Sequence, residues 1–159
     1  MIIISPYAKG IREHERISEL RGTPHPKNYP HWKELISMLN ASSHIEPIIQ
    51  VGINGEVGFV SDFRKNLPLT ELAKLVKECR TWISVDSFFQ HFCWDLGKPG
   101  IVLFGQSDPN IFGHPENTNL LKDRKYLRDR QYWQWEQTMH NPEHFVKPDV
   151  VIDALKLFK

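Results

Sequence analysis

The sequence predicts an α/β fold, a single Rossmann-like domain whose parallel sheet is flanked by helices. Short apolar segments alternate with amphipathic ones along the first hundred residues, as in chains that build βαβ units. The run Ile101–Phe104 is apolar without alternation, which is typical of a strand buried on both faces. Between Val85 and Pro109 a strand, a short helix and a second strand follow one another, so this stretch predicts one complete βαβ unit.

Size and composition favour one globular domain over residues 1–159, with 40% hydrophobic and 25% charged residues. A net charge of +1 gives no electrostatic reason to expect nucleic acid as a partner. The two cysteines, Cys79 and Cys93, lack metal-ligand spacing and are expected to be buried thiols in a reducing compartment. Because Met1 leads straight into a strand and no apolar run could span a bilayer, we expect a cytoplasmic protein without a signal peptide or membrane span.

The first strand is predicted at Ile2–Ile4. A polar stretch rich in proline and glycine follows, with one or two helical turns expected over Arg12–Leu20. Such a long loop at the carboxyl end of a strand is usually functional, although its charges also fit a solvated loop. A helix then begins at Pro30 or His31 and ends near Asn40, because four apolar residues recur at helical spacing.

The second strand is predicted over Ile45–Val51, with an irregular start at Pro47. The loop Gly52–Glu56 then lies at its carboxyl end. Gly55 permits a close approach of the backbone, and Glu56 is a carboxylate that can accept hydrogen bonds from the hydroxyls of a ribose. A glutamate in a turn is more often only solvated, so both interpretations stay open.

The residues Phe63–Leu69 are predicted to form a loop before the next helix. That helix starts at Leu69 with Thr70 as its cap, and its apolar face includes Cys79. It leads into a strand at Thr81–Val85, which is rich in β-branched and aromatic residues.

A short polar turn, Asp86-Ser87, follows that strand and caps a predicted helix over Phe88–Leu96. The start of a helix presents unpaired backbone N–H groups and a partial positive charge, which attract phosphate. Ser87 adds a hydroxyl, and His91, one turn further on, is a candidate donor to the same ligand. The alternative is a plain helix cap and a structural histidine, which these residues alone favour.

An irregular, aromatic-rich segment is predicted at about residues 110–147, with a closing helix at about 148–158. His140 and His144 have the spacing of a helical metal-binding pair. Pro142 lies between them and interrupts a helix, so no metal site is predicted.

The first part of this segment, Asn110–Tyr126, contains glycine, proline and several asparagines and is predicted to be loop. In Tyr126–Trp135, aromatic and basic residues are interleaved, a composition that can stack on bases and hold phosphates. The alternative is that these aromatic side chains pack onto the sheet. The nearly neutral overall charge favours packing.

The stretch from Val85 to Pro109 resembles the signature of the heptosyltransferase-type glycosyltransferases, family nine of the GT-B enzymes. The residues that carry the resemblance are Asp86, Ser87, His91, Gly97, Pro99, Phe104, Gly105, Asp108 and Pro109. One position departs from the family's pattern, because Phe88 stands where the family has a glycine that lets the backbone approach the donor's phosphates. The resemblance therefore places Phe88 among the residues that bind the donor's phosphates. The missing glycine argues against a close contact between the backbone and a diphosphate at this position.

The resemblance extends more sparsely along the rest of the chain. Lys27-Asn28-Tyr29-Pro30 is similar to a Lys-x-Trp-Pro element of the family, with Tyr29 in place of tryptophan. It implies that Lys27 binds donor phosphate, with Thr23 as a weaker neighbour, and that Glu56 lies close to the nucleoside. Phe145, Pro148 and Val151 resemble the family's closing helix.

These features imply the donor-binding half of a glycosyltransferase, which takes a nucleoside-diphosphate sugar as substrate and needs no separate cofactor. The acceptor side and the catalytic base usually belong to the other half in such enzymes, so no general base is assigned, and a second domain, subunit or copy is expected to complete the site. Asp86 is expected to orient its loop, because a carboxylate beside a diphosphate is repulsive. Three rivals remain: a binding or sensor protein without transfer activity, a nucleic-acid module using Tyr126–Trp135, and a structural subunit that keeps the fold but not the pocket.

Overall fold

The structure is a computed structural model that describes residues 1–8, 24–41, 46–132 and 138–158. Its strands and helices alternate along the chain, and two single 3-10 turns, Arg124–Tyr126 and Pro142–His144, lie between the last strand and the last helix. In chain order the elements are β1 (Ile2–Ser5), α1 (Trp32–Ala41), β2 (Ile48–Gly52), β3 (Asp62–Lys65), α2 (Leu69–Glu78), β4 (Thr81–Val85), α3 (Phe88–Asp95), β5 (Ile101–Phe104), α4 (Pro109–Phe112), β6 (Thr118–Leu121) and α5 (Pro148–Leu155).

The strands form one six-stranded sheet in the order β3-β2-β1-β4-β5-β6. Every neighbouring pair is parallel, and β1 lies between β2 and β4. Parallel neighbours require a crossover that returns the chain to the same end of the sheet, and helices supply most of these crossovers here. The predicted α/β class with a parallel sheet and flanking helices is confirmed.

Helices cover both faces of the sheet, and the alternation of side chains along β1 shows how the core divides. Ile2 and Ile4 pack with the buried face of α1 and with α5 on one side, and Ile3 packs with α2 and α3 on the other. All four apolar residues predicted for the first helix are buried: Trp32, Leu35, Ile36 and Leu39. Because β1 is buried on both faces, an unbroken run of isoleucines suits it.

The two edge strands were not predicted from the sequence. β3 overlaps the start of the predicted loop Phe63–Leu69, and its sequence DFRK has no buried residue. β6 lies within the predicted loop Asn110–Tyr126, as does most of α4, and its residues are only partly buried. An edge strand pairs on one side only and tolerates charge, so neither segment carries the apolar pattern of a central strand.

Helix boundaries agree closely with the prediction, with one correction. α2 starts at Leu69 as expected, but its N-cap residue is Pro68, and no side chain caps it. Thr70 therefore lies inside the first turn. The residues predicted as helical turns, Arg12–Leu20, lie outside the described residues.

The glycine that ends β5 allows the last helix to pack against the sheet. A Cβ atom on Gly105 would lie 2.5 Å from the ring of Phe145, which is fully buried. Phe145 also meets the ring of Tyr29 edge-on at 5.8 Å, and the hydroxyl of Tyr29 donates to the carbonyl of Val146. Within the described ranges, no helix is long and apolar enough to cross a membrane.

Candidate functional site

A cavity of about 360 Å³ lies at the carboxyl ends of the central strands. The strand order reverses between β1 and β4, and open α/β sheets bind ligands where the order reverses. The wall is built from the residues that follow four strands, and it is mostly apolar. Its lining residues include Ser5, Tyr7, Val51, Glu56, Asn66, Leu67, Ser87, Phe88 and Phe89.

The loop after β2 places Glu56 on the wall of this cavity. Its Oε2 accepts a hydrogen bond from the backbone N–H of Ile53 at 3.0 Å, so the carboxylate also closes its own loop. A Cβ atom on Gly52 would lie 2.0 Å from that oxygen, so a side chain at this position would displace the Glu56 carboxylate. Gly55 has φ +90°, a conformation that only glycine adopts without strain. The two glycines therefore shape the loop that carries the predicted ribose ligand.

The start of α3 forms the opposite wall. Ser87 is the N-cap, and its hydroxyl accepts a hydrogen bond from the backbone N–H of Phe89 at 3.4 Å. Phe88 also lines the cavity, but its side chain is 61% exposed and packs on the ring of Phe92 at 5.5 Å. The phenyl ring therefore lies at the rim of the cavity and contributes little to the hydrophobic core.

Asp86, immediately before Ser87, holds two distant parts of the chain together. Its side chain is only 4% exposed, and its Oδ2 lies 2.7 Å from Nζ of Lys27. Its Oδ1 accepts a hydrogen bond from Nε2 of Gln90, a fully buried side chain, at 2.7 Å. The Lys27 ammonium also lies 5.4 Å from the centre of the Phe112 ring. These contacts fix the Lys27 ammonium beside the start of α3.

His91, one turn into α3, is exposed and does not line the cavity. Its Nδ1 lies 2.8 Å from Nε2 of His114, a hydrogen bond between two imidazoles. Loss of water around the ring lowers the pKa of His91 below its usual 6.5, and nearby Lys27 and His114 lower it further. The Asp86 carboxylate acts in the opposite direction. His91 therefore lies in the electrostatic field of the same cluster as Lys27 and Asp86.

The predicted site residues thus fall into two adjoining groups. Glu56, Ser87 and Phe88 line the cavity, with Gly55 in the same loop. Lys27, Asp86 and His91 form a polar cluster beside it. Thr23 lies outside the described residues.

Sequence reasoning missed several residues of the region. Arg64 and Asn66 reach the cavity from the end of β3, and recognising that edge strand would have found them. Tyr7 also lines the cavity, while Gln90 and His114 contact the polar cluster. No local pattern marks Gln90 or His114. The first is linked to the cluster by a hydrogen bond to Asp86, and the second by a hydrogen bond to His91.

The described aromatic residues of the Tyr126–Trp135 segment pack against the chain. Tyr126 stacks on His144 at 4.8 Å, and Tyr132 meets the ring of Phe112 edge-on at 5.5 Å. Trp133 and Trp135 lie outside the described residues. Tyr132 nevertheless remains exposed, so packing onto the sheet and nucleic-acid binding both stay predictions for this segment.

The two histidines with metal-like spacing make separate contacts. His140 Nε2 lies 2.9 Å from the backbone carbonyl of Asn28, while His144 stacks on Tyr126. Within the described ranges, no group of three or more His, Cys, Asp or Glu side chains could hold a metal ion. Cys79 and Cys93 are buried thiols, and burial raises the pKa of both.

Comparison with known proteins gives both a sequence match and a fold match. The sequence model of Glycosyltransferase family 9 (heptosyltransferase) matches residues 64–141. No curated protein matches the chain significantly in sequence. Among solved structures, E. coli heptosyltransferase WaaC with ADP aligns with a TM-score of 0.62 and 16% identity, over 99% of this chain and 44% of that one.

A second solved structure has the same relation to the chain. The dodecameric iron-containing heptosyltransferase TibC, in complex with ADP-D-β-D-heptose, aligns with a TM-score of 0.57 and 13% identity, over 99% of this chain and 41% of that one. The chain thus spans less than half the length of either enzyme. It resembles the family 9 glycosyltransferases (heptosyltransferases) in sequence over residues 64–141 and in fold over 99% of its length, which confirms the resemblance inferred from the sequence.

Proposed function

We propose that the chain is the donor-binding half of a glycosyltransferase and that it binds a nucleoside-diphosphate sugar at the carboxyl ends of β1, β2 and β4. The observation that carries the proposal is the cavity itself. It lies where the strand order reverses and joins a carboxylate loop on one wall to the capped start of α3 on the other. Both solved relatives are heptosyltransferases, one with ADP and one with ADP-heptose, which supports a nucleotide-linked donor.

In the proposed arrangement the nucleoside occupies the cavity and the diphosphate lies toward the start of α3. The carboxylate of Glu56 and the apolar wall would hold the ribose and base. Ser87 and the backbone N–H groups of the first turn would contact phosphate, with Lys27 and His91 as further donors and Thr23 as a weaker one. Asp86 would keep Lys27 in place, since it pairs with the ammonium at 2.7 Å.

The proposed reaction is transfer of the sugar to an acceptor hydroxyl. The bond between the anomeric carbon and the diphosphate oxygen breaks, and the diphosphate keeps the electron pair. The acceptor oxygen forms the new bond and loses its proton to a base supplied outside the residues assigned here. Positive charge and N–H groups around the diphosphate would stabilise the negative charge that develops on the leaving group.

We propose that the acceptor side comes from another domain, another subunit or another copy of the chain. This chain covers 44% and 41% of the two solved enzymes, and TibC is dodecameric. The nucleotide sugar enters as a substrate, and no separate cofactor is proposed. We propose a cytoplasmic location. A nucleotide-linked substrate and two free thiols, Cys79 and Cys93, both fit a reducing compartment.

The test is calorimetric titration of the protein with ADP, GDP, UDP and CDP and with their common sugar derivatives. We expect one nucleotide to bind, and Lys27→Ala to weaken it about 10- to 100-fold, the effect of losing a hydrogen bond from a charged donor. Lys33→Ala, which removes an exposed lysine of α1, is the matched control and should leave the affinity unchanged. No binding across the panel would overturn the proposal.

A second candidate is a binding or sensor protein that keeps the donor site and transfers nothing. Phe88 favours it, because the family has a glycine at this position and the aromatic side chain adds bulk at the rim of the cavity. The two candidates differ in turnover. If a nucleotide sugar binds but is neither hydrolysed nor transferred in extracts that contain acceptors, the sensor is favoured over the transferase.

A further inference from the structure

His114 lies in the loop after α4 and outside the family signature, yet it is joined to a residue of the proposed site. Its Nε2 is 2.8 Å from Nδ1 of His91, and the two rings are nearly perpendicular, at 82°. A contact this short between two ring nitrogens is a hydrogen bond. It therefore holds one proton, given by one ring and accepted by the other.

The position of His114 is itself fixed. Its ring stacks on the indole of Trp94, with centroids 4.3 Å apart and planes inclined by 8°. The indole Nε1 in turn donates to Oε2 of Glu116 at 3.1 Å. The backbone carbonyl of His114 accepts hydrogen bonds from the backbone N–H of Asn117 and from the side chain of Asn119. A ring held on its face and through its backbone can orient its partner.

The protonation of His91 depends on this contact. A neutral imidazole carries its proton on one nitrogen only, and the hydrogen bond made by the other nitrogen decides which. When His114 donates to Nδ1 of His91, the proton of His91 resides on Nε2, and Nε2 becomes a donor. A phosphate oxygen accepts hydrogen bonds, so only a donor nitrogen serves a diphosphate.

We propose that His114 is a positioning residue for the donor's diphosphate: by donating to Nδ1 of His91, it keeps His91 in the tautomer whose Nε2 donates to phosphate. The inference rests on the proposed function, because it assigns a partner to a residue of that site. The charged and titratable groups around His91 are Asp86 at the start of α3, Lys27 before α1 and His114 itself. Glu116 is one contact further away, since it accepts the hydrogen bond from the indole of Trp94.

This role has a distinctive dependence on pH. At about pH 8, above the lowered pKa of His91, the His91 ring is neutral and its tautomer matters. At a pH below the lowered pKa of His91, its ring is protonated on both nitrogens, so either nitrogen is a donor whatever His114 does. Removing His114 should therefore weaken phosphate binding at high pH and have little effect at low pH. A residue that served only the packing of the loop would act equally at both.

The probe is ADP-glucose, because its pyrophosphate is substituted at both ends and does not titrate over this range, whereas a terminal phosphate titrates near pH 6. We expect His114→Ala to weaken binding at the higher pH by the factor by which the donor tautomer of His91 is depleted, about twofold to fivefold, and to leave binding unchanged at the lower pH. His114→Gln presents an N–H donor near the position of Nε2 and should restore most of the affinity. His144→Ala, which removes a half-buried histidine stacked on Tyr126, is the matched control and should change neither value.

A second measurement needs no ligand. Nitrogen-15 shifts of the His91 ring in the free protein should show Nε2 protonated and Nδ1 accepting, and His114→Ala should give a mixture of tautomers. A His91 protonated on Nδ1, or a loss of affinity independent of pH, would overturn the inference while leaving the proposed function intact. Absence of binding by the wild-type protein to ADP-glucose and to the whole nucleotide panel would overturn the proposed function and this inference together.

Discussion

Two aspartates occupy similar places after neighbouring strands, and they differ in what surrounds them. Asp86 follows β4, and Asp108 follows β5 and caps α4. Both are nearly buried, and each pairs at 2.7 Å with a cation from a distant segment, Lys27 for the first and Arg124 for the second. The side chain of Lys27 is 19% exposed, whereas that of Arg124 is 57% exposed.

The surroundings of Asp108 are filled by the chain itself. Arg124 donates to both carboxylate oxygens, and Oδ1 also accepts the backbone N–H of Asn110. The backbone N–H of Asp108 donates to Gln131, whose side chain also donates to the carbonyl of Gln106. This end of the sheet is a closed junction. The end at Asp86 adjoins a cavity instead, because β4 lies where the strand order reverses. Position in the sheet, and not the local pattern of strand, aspartate and cation, separates the two.

The largest expected difference concerns stability. Asp86→Ala leaves the Lys27 ammonium and the fully buried Gln90 without their shared acceptor, and we expect the free energy of unfolding in urea to fall by about 2–3 kcal/mol. Asp108→Ala removes a helix cap and an ion pair with an exposed arginine, and it should cost about 1 kcal/mol. Equal losses for the two variants would show that the network at Asp86 adds no more stability than the junction at Asp108.

The second difference concerns ligand access. Phe88→Gly restores the residue of the family signature and removes a ring that is 61% exposed, so the core loses little. We expect affinity for a nucleoside diphosphate to rise about threefold to fivefold, because the backbone at the start of α3 becomes open to the phosphates. Asn110→Gly changes the corresponding position after Asp108 and should leave the affinity unchanged. Weaker binding by the Phe88 variant would show instead that the ring contacts the ligand.

The smallest expected effect is on acid stability. The hydrogen bonds from Arg124 hold the pKa of Asp108 below its ordinary value of 3.8, and the backbone N–H of Asn110 acts in the same direction. A depressed pKa in the folded state gives stability that is present above the ordinary value and lost as the pH falls through the folded value. Asp108→Asn should therefore lose less stability than the wild-type protein when the pH falls from neutral to about pH 3. Urea unfolding followed by circular dichroism at the two pH values measures this difference. An acid transition identical to that of the wild-type protein would contradict this account.

The central elements of the fold were predictable because burial on both faces leaves a strong pattern. Ile2–Ser5, Thr81–Val85 and Ile101–Phe104 are apolar or β-branched almost throughout, and each is fully buried. The edge strands were not predictable. DFRK and TNLL each form hydrogen bonds with a neighbouring strand on one side only, and their side chains remain partly solvated.

The placement of the candidate site residues was predictable to a similar extent. Glu56 and Ser87 share a cavity because parallel strands end at one edge of the sheet, a rule that needs no coordinates. The pairing of Lys27 with Asp86, and of His91 with His114, depends on contacts across 59 and 23 positions of the chain. No local pattern encodes such contacts, because the side chains involved are ordinary surface types until the fold brings them together.

The place of β1 in the middle of the sheet also has a consequence for how the chain reaches its native state. Ile2 pairs with Ile48 on one side and with Thr81 on the other, so β1 gains its second neighbour only after β4 has been synthesised. Contacts so distant in sequence slow folding, since a long loop must close before any strand pairing offsets its entropy. Until then three consecutive isoleucines present an unpaired apolar edge, which is the kind of surface that chaperones bind and that promotes aggregation.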